Sequence, residues 1–224
     1  MKPTFACVYR TGGDYNTRDV LRLKHNVEKR TTMDFNFVCL TDDTTLLLTN
    51  EHGVVVDSVT EEHWAQPLFG NYKGWWSLIE LFRLTGPVVI TGLDTVFVGS
   101  VDPFLQLAKS LTEEEFYMIH AFKKNEVWAS GFMIWNGDWS WLLDDFKYKE
   151  HSAKYQWEQR YTKFSLLKRG VEIKGVQDQI DGIYSYKHHC RGKGGPPKDA
   201  RAILFHGRPR PGNVRESWIK KEWK

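Results

Sequence analysis

The sequence predicts an α/β fold with a mostly parallel central sheet flanked by helices. Three observations predict it. Short apolar, β-prone runs recur along the chain, stretches of helical spacing fall between them, and turn-forming residues separate the two. "TFACVYR" (Thr4–Arg10) reads as a buried first strand, followed by the glycine-rich turn "TGGDYN". Polar residues from Asp14 to Thr17 suit a helix N-cap, and Val20, Leu23 and Val27 then share one face at 3.6-residue spacing, to about Arg30. "NFVCL" (Asn36–Leu40) and "GVVVD" (Gly53–Asp57) read as the second and third strands.

Further along, "NYKGWWSLIELFRLTG" predicts a loop and then a helix from about Trp75 to Leu84, stopped by Gly86-Pro87. "PVVITG" is a buried strand that breaks at Gly92-Leu93-Asp94, and "TVFVGS" resumes the apolar pattern. Asp102-Pro103 reads as an N-cap and first helical residue, which gives Asp102 a structural role rather than a metal-binding one. "FYMIHA" (Phe116–Ala121) and "GFMIW" (Gly131–Trp135) are two more strands. "DWSWLLDDFKYK" (Asp138–Lys149) predicts an amphipathic helix and "QDQIDGIYS" (Gln177–Ser185) a short one. "RAILFHG" (Arg201–Gly207) closes the series at His206. No repeat or linker divides the chain, so residues 1–224 read as a single domain.

The bulk numbers agree. A chain of 224 residues, 41% hydrophobic and 26% charged, can bury one sizeable core. No apolar run approaches the roughly 20 residues of a membrane helix, and the N-terminus lacks a signal peptide's apolar stretch. The expected address is cytoplasmic. Cys7, Cys39 and Cys190 are odd in number and widely spaced, which argues against a disulfide framework. "HHC" at His188–Cys190 reads as a polar loop before a zinc site, because no second cluster supports it. Net charge is only +3, but the segment from Lys187 to Lys224 holds eleven Lys or Arg against three Asp or Glu. That basic segment suits an anion. Ten tryptophans include Trp75, Trp76, Trp128 and Trp135 beside glycine or polar residues, as pocket walls would have them.

In an open α/β sheet, ligands bind beyond the carboxyl ends of the strands. The polar residues at those ends are Tyr9-Arg10-Thr11, Thr41-Asp42, Asp94, Ser130 and His206. Asp94 and His206 suit Mn²⁺ or Mg²⁺ together with diphosphate oxygens.

The order of segments resembles that of the glycogenin-like retaining glycosyltransferases with the GT-A fold. "FVCLTDD", "WWSLIELFR", "VVITGLDTVFVGSVDPF", "WASGFMIWN", "VQDQ" and "FHGRPRP" each resemble a family motif, in family order, from Thr4 to about Trp218. The resemblance implies a nucleotide-sugar donor, commonly a UDP-sugar, with Mn²⁺ on its diphosphate. It implies that Val8, Tyr9, Arg10 and Thr11 hold the base and ribose. It implies Asp94 and His206 as metal ligands, and Arg210, or else Arg208, on the diphosphate. The donor-sugar pocket would include Arg83, Ser130, Gly131, Asp178 and Gln179, with Asp178 or Gln179 stabilising the cationic sugar. Two positions depart from the family: Gly92 stands for its first aspartate and Leu78 for a lysine.

The implied activity is transfer of a sugar, with retention, to a hydroxyl acceptor such as a glycan. A modified DNA base as acceptor, with the basic segment tracking the backbone, is one rival. A catalytically inactive nucleotide- or glycan-binding protein is another.

Overall fold

A computed structural model describes residues 1–48, 63–122 and 127–224. The strand expected at 53–57 lies outside them. The first strand, β1 (Thr4–Tyr9), leads to helix α1 (Thr17–Glu28). Asn16 caps α1 and receives the Arg18 N–H, while Asp19 reaches back to the Asn16 N–H, a reciprocal capping box. β2 (Asn36–Thr41) follows, then a one-turn α2 (Thr44–Leu47) capped by Asp43, and β3 (Ala65–Pro67). A 3₁₀ helix spans Gly74–Arg83, where the sequence predicts a helix. Then come β4 (Val88–Thr91), β5 (Thr95–Phe97), α3 (Asp102–Ser110), β6 (Phe116–His120) and β7 (Trp128–Trp135). The remainder is α4 (Trp141–Asp144), α5 (Tyr148–Lys154), α6 (Glu158–Lys168), β8 (Ile173–Gly175), β9 (Ile183–Ser185), β10 (Ala202–Leu204) and α7 (Ser217–Glu222).

Seven strands form the main sheet in the order β3-β2-β1-β4-β7-β6-β8. All its pairings are parallel except those of β7, which runs against both β4 and β6. Strand order reverses between β1 and β4, and an α/β sheet opens a crevice at such a point. A smaller sheet, β5-β10-β9, adjoins it.

Alternation along the strands sorts the core onto two faces. Phe5, Cys7, Cys39, Val89, Phe132 and Ile134 pack with α1, α3 and the small sheet. Ala6, Leu40, Ile90, Met118, Met133 and Trp135 pack under the 3₁₀ helix, α4 and α6. All three cysteines are buried and free. The aromatic payload is mostly here. Trp135 is fully buried and stacked on Phe116, and Trp76 is stacked on Phe146, so neither is a pocket wall.

Three sequence expectations are corrected. The helix expected at 138–149 is two helices, α4 and α5, parted at residues 145–147. The helix expected at 177–185 is a short 3₁₀ turn, Val176–Asp178, and then strand β9. Gly182 separates them at φ +87°, where Asp199 O lies 2.4 Å from the place a Cβ would take. Asp102 is the first residue of α3 rather than its cap. Its carboxylate instead accepts from the Thr31 hydroxyl and from the N–H and hydroxyl of Thr32, tying α3 to the loop after α1.

Candidate functional site

A cavity of about 270 Å³ opens at the carboxyl end of β4, at the small end of the range for small-molecule sites. Four of the residues expected at the site line it: Asp94, Ser130, Gly131 and His206. Leu78 and Glu158 line it as well. A larger hollow of about 520 Å³ includes Glu113, Asp138 and Trp141, away from these strand ends.

The β6–β7 pairing explains how Ser130 and Gly131 reach the cavity. Ile119 faces Ala129 but Met118 faces Met133, so three residues of β7 are looped out between them. Irregularities of this kind re-aim side chains beside active sites.

Asp94 sits where β4 has just ended. Its Oδ2 accepts from Arg210 Nη1 at 2.8 Å and from the Gly207 N–H at 3.3 Å. Burial and the Asp94 carboxylate together push the Tyr15 phenol well above its ordinary pKa. Arg210 lies over the Tyr15 ring at 4.5 Å and also reaches Asp14 at 3.4 Å. Arg208, 78% exposed, pairs with Asp14 at 2.7 Å.

His206 has φ +36°, a left-handed conformation unusual for a residue with a side chain. Its Nε2 is 2.5 Å from Ser185 Oγ, its carbonyl accepts from Lys187 Nζ at 3.0 Å, and its ring stacks on Phe122. Burial first, and then the Lys187 ammonium, hold the imidazole down at about 4, against a pull upward from Asp94.

These contacts decide how a divalent cation would fit. One oxygen of Asp94 is engaged by a guanidinium, and Nε2 of His206 faces a hydroxyl. Asp94 Oδ1 lies 2.7 Å from the place a Cβ at Gly92 would take, so the Asp94 carboxylate occupies the space beside this glycine. Among the described residues, no three His, Cys, Asp or Glu side chains are placed to hold a metal ion. Mg²⁺ and Mn²⁺ favour several oxygen ligands in near-octahedral array. Asp94 and His206 share the cavity, but as they stand this donor set fits a dication poorly, because Asp94 Oδ2 is on Arg210 and His206 Nε2 on Ser185.

The remaining expected residues lie elsewhere. Arg10 donates from Nε to Ser77 Oγ at 2.6 Å and from Nη2 to Gly70 O at 2.5 Å. The Thr11 N–H donates to Asp42 at 2.8 Å. Val8 and Tyr9 stay in β1, with Tyr9 buried. Arg83 donates to Pro67 O at 2.7 Å, pairs with buried Glu80 at 3.2 Å and covers Phe69. It braces the 67–70 loop and does not line the cavity. Asp178 and Gln179 are exposed on the 3₁₀ turn after β8, and Asp178 pairs with His120 at 2.9 Å. Neither lines the cavity.

Glu158 is the residue the sequence reading missed. It is the first residue of α6, 6% exposed, and its carboxyl is hydrogen-bonded to Ser130. Burial pushes its pKa up to about 7, although the Ser130 hydroxyl and the N–H groups of Glu158 and Gln159 oppose the shift. An acid at the first position of a helix normally reads as a solvated partner of the helix dipole. Nothing in "QWEQRY" marks it as buried.

No protein-family model matches this chain, and no curated protein matches its sequence. Solved structures do match. The glycosyltransferase GlyE of Streptococcus pneumoniae TIGR4 superposes with a TM-score of 0.64 at 12% identity, over 99% of this chain and 59% of GlyE. The galactosyltransferase LgtC, solved with donor and acceptor sugar analogs, gives 0.59 at 10% identity, over 99% of this chain and 93% of LgtC. The bifunctional glycosyltransferase WbbM gives 0.52 at 11% identity, over 95% of this chain and 47% of WbbM. The chain thus spans about three fifths of GlyE. At these identities the likeness establishes the fold: a mixed α/β architecture of the GT-A glycosyltransferase kind.

Proposed function

We propose that this protein transfers a sugar from a nucleoside-diphosphate-sugar to a hydroxyl acceptor. One observation carries the reading. The cavity at the carboxyl end of β4 is lined by Asp94, Ser130 and Glu158, and Arg210 pairs with Asp94 beside it, in a fold shared with glycosyltransferases. A donor has the matching polarity, an anionic diphosphate joined to a hydroxyl-rich ring.

The chemistry follows from that layout. The bond between the anomeric carbon and the diphosphate oxygen breaks, and its electron pair leaves with the diphosphate. Arg210 stabilises the charge where it develops. Lys187 and Arg208 raise the local positive potential. The acceptor oxygen bonds to the anomeric carbon, with retention, and its proton passes to the departing diphosphate. Ser130 and Glu158 meet the sugar hydroxyls, and Leu78 offers an apolar wall in place of a charge. UDP is the first nucleotide to test, and a glycan hydroxyl the first acceptor.

The three cations of the basic segment nearest Asp94 give no support to a DNA acceptor: Arg208 and Arg210 are engaged by Asp14 and Asp94, and Lys187 by a backbone carbonyl. No described helix is long and apolar enough to cross a membrane.

The test is release of nucleotide from a panel of nucleotide-sugars, each with and without a mixture of glycan acceptors. At least one donor is turned over, and Ser130→Ala with Glu158→Gln slows it. Failure of every donor sinks the reading.

A further inference from the structure

We propose that Arg210 takes the place of a divalent cation: its guanidinium binds the donor diphosphate directly, and Asp94 orients that guanidinium instead of ligating a metal. This rests on the sugar-transfer reading and specifies how that site handles its leaving group.

The guanidinium is held on three sides. Nη1 is 2.8 Å from Asp94 Oδ2, Nη2 is 3.4 Å from Asp14 Oδ2, and the plane lies 4.5 Å from the Tyr15 ring centre. Its Nε is buried with no hydrogen-bond partner. A buried donor left unmatched is costly, and a phosphate oxygen has the charge and the lone pairs to match it. Arginine's planar fork suits phosphate in two-point contact, which a point charge does not.

The surroundings favour an organic cation over an inorganic one. A dication on Asp94 Oδ2 would share that oxygen with Arg210 Nη1, and like charges at such range repel strongly. Gly92 offers no side chain, so Asp94 has no second carboxylate beside it from this turn. His206 directs Nε2 to Ser185 Oγ, and its carbonyl accepts from Lys187. Beside the cavity, Arg210, Arg208 and Lys187 outnumber Asp94 and Asp14, which favours an anion near Asp94.

Isothermal titration calorimetry with UDP, the other common nucleoside diphosphates and inorganic pyrophosphate tests this, each run in EDTA and in Mn²⁺. The expected dissociation constant in EDTA is within about threefold of that in Mn²⁺. Arg210→Lys keeps the charge and loses the fork, and binding weakens about 10- to 100-fold. Arg210→Ala weakens it at least as much, with melting curves confirming that each variant is folded. Should the alanine variant fail to fold, the lysine variant and the EDTA comparison still decide. Wild-type binding that requires Mn²⁺ overturns this inference and leaves the sugar-transfer reading standing. Binding that Arg210→Lys does not weaken overturns it equally. No binding of any diphosphate, with or without Mn²⁺, overturns the sugar-transfer reading and this inference with it.

Discussion

Two acids line one cavity, and the molecule holds them in opposite ways. Asp94 faces a guanidinium and a backbone N–H, so its charge is matched by a cation. Glu158 faces the Ser130 hydroxyl and the N–H groups at the start of α6, and burial lifts its pKa to about 7. The difference teaches where each kind of acid comes from. Asp94 follows a strand and meets a segment from the far end of the chain. Glu158 is trapped when the start of α6 packs over the looped-out residues of β7. The second acid exchanges its proton near neutral pH.

The comparison breaks most visibly at its ionic end. Asp94→Ala leaves Arg210 largely buried with Asp14 as its remaining carboxylate, which costs about 3 kcal/mol. The Asp94→Ala/Arg210→Ala double variant loses less than the sum of the two single losses. Urea denaturation of the three variants checks this, and simple additivity means the pair is not coupled.

The protonatable end responds to pH instead. The folded-state pKa of Glu158 lies above its ordinary 4.5, so the folded protein binds the proton more tightly than the unfolded chain. That contribution is fully present below about pH 4.5 and is lost as pH rises to about 7, on the order of 3 kcal/mol in all. Denaturation midpoints measured from pH 4.5 to 8 show the fall in wild type, and Glu158→Gln flattens this part of it. A profile that Glu158→Gln leaves unchanged assigns the proton elsewhere.

Ser130→Ala sharpens the contrast at smaller scale. The hydroxyl donates to the ionised acid, so its loss costs about 1–2 kcal/mol at pH 8 and less at pH 5. An equal cost at both values contradicts the assignment. The smallest effect is expected at a third acid, Asp178, which lies outside the cavity and pairs with His120 on the surface. Asp178→Ala changes stability by less than about 0.5 kcal/mol and the transfer rate by less than about threefold. A rate loss beyond that returns Asp178 to the site.

Much of the fold was legible in the sequence because its signals are local. Periodicity located β1, α1, β2, β4 and β6, and Asn16 lies within the Asp14–Thr17 stretch expected to cap α1. The misread stretch 177–185 carries polar residues at plausible helical spacing, but the close approach of Asp199 O to Gly182 is a tertiary fact. The site was legible only in part for the same reason. Asp94, Ser130, Gly131 and His206 stand at strand ends, where a rule applies. The burial of Glu158, the looped-out register of β7 and the Arg210–Asp94 pairing depend on which segments meet, and single-sequence patterns do not record that.

The partner of Asp94 lies 116 residues away along the chain. It is carried by a segment fastened down at its far end. Glu222 pairs with Arg30 and Lys29, and its carbonyl accepts from Asn26, whose side chain also grips Phe97. The cation at the site is thus anchored through α1 and β5. The segment that bears Arg210 is therefore tied down at both ends, by Asp94 and Asp14 near the cavity and by α1 at the helix that follows.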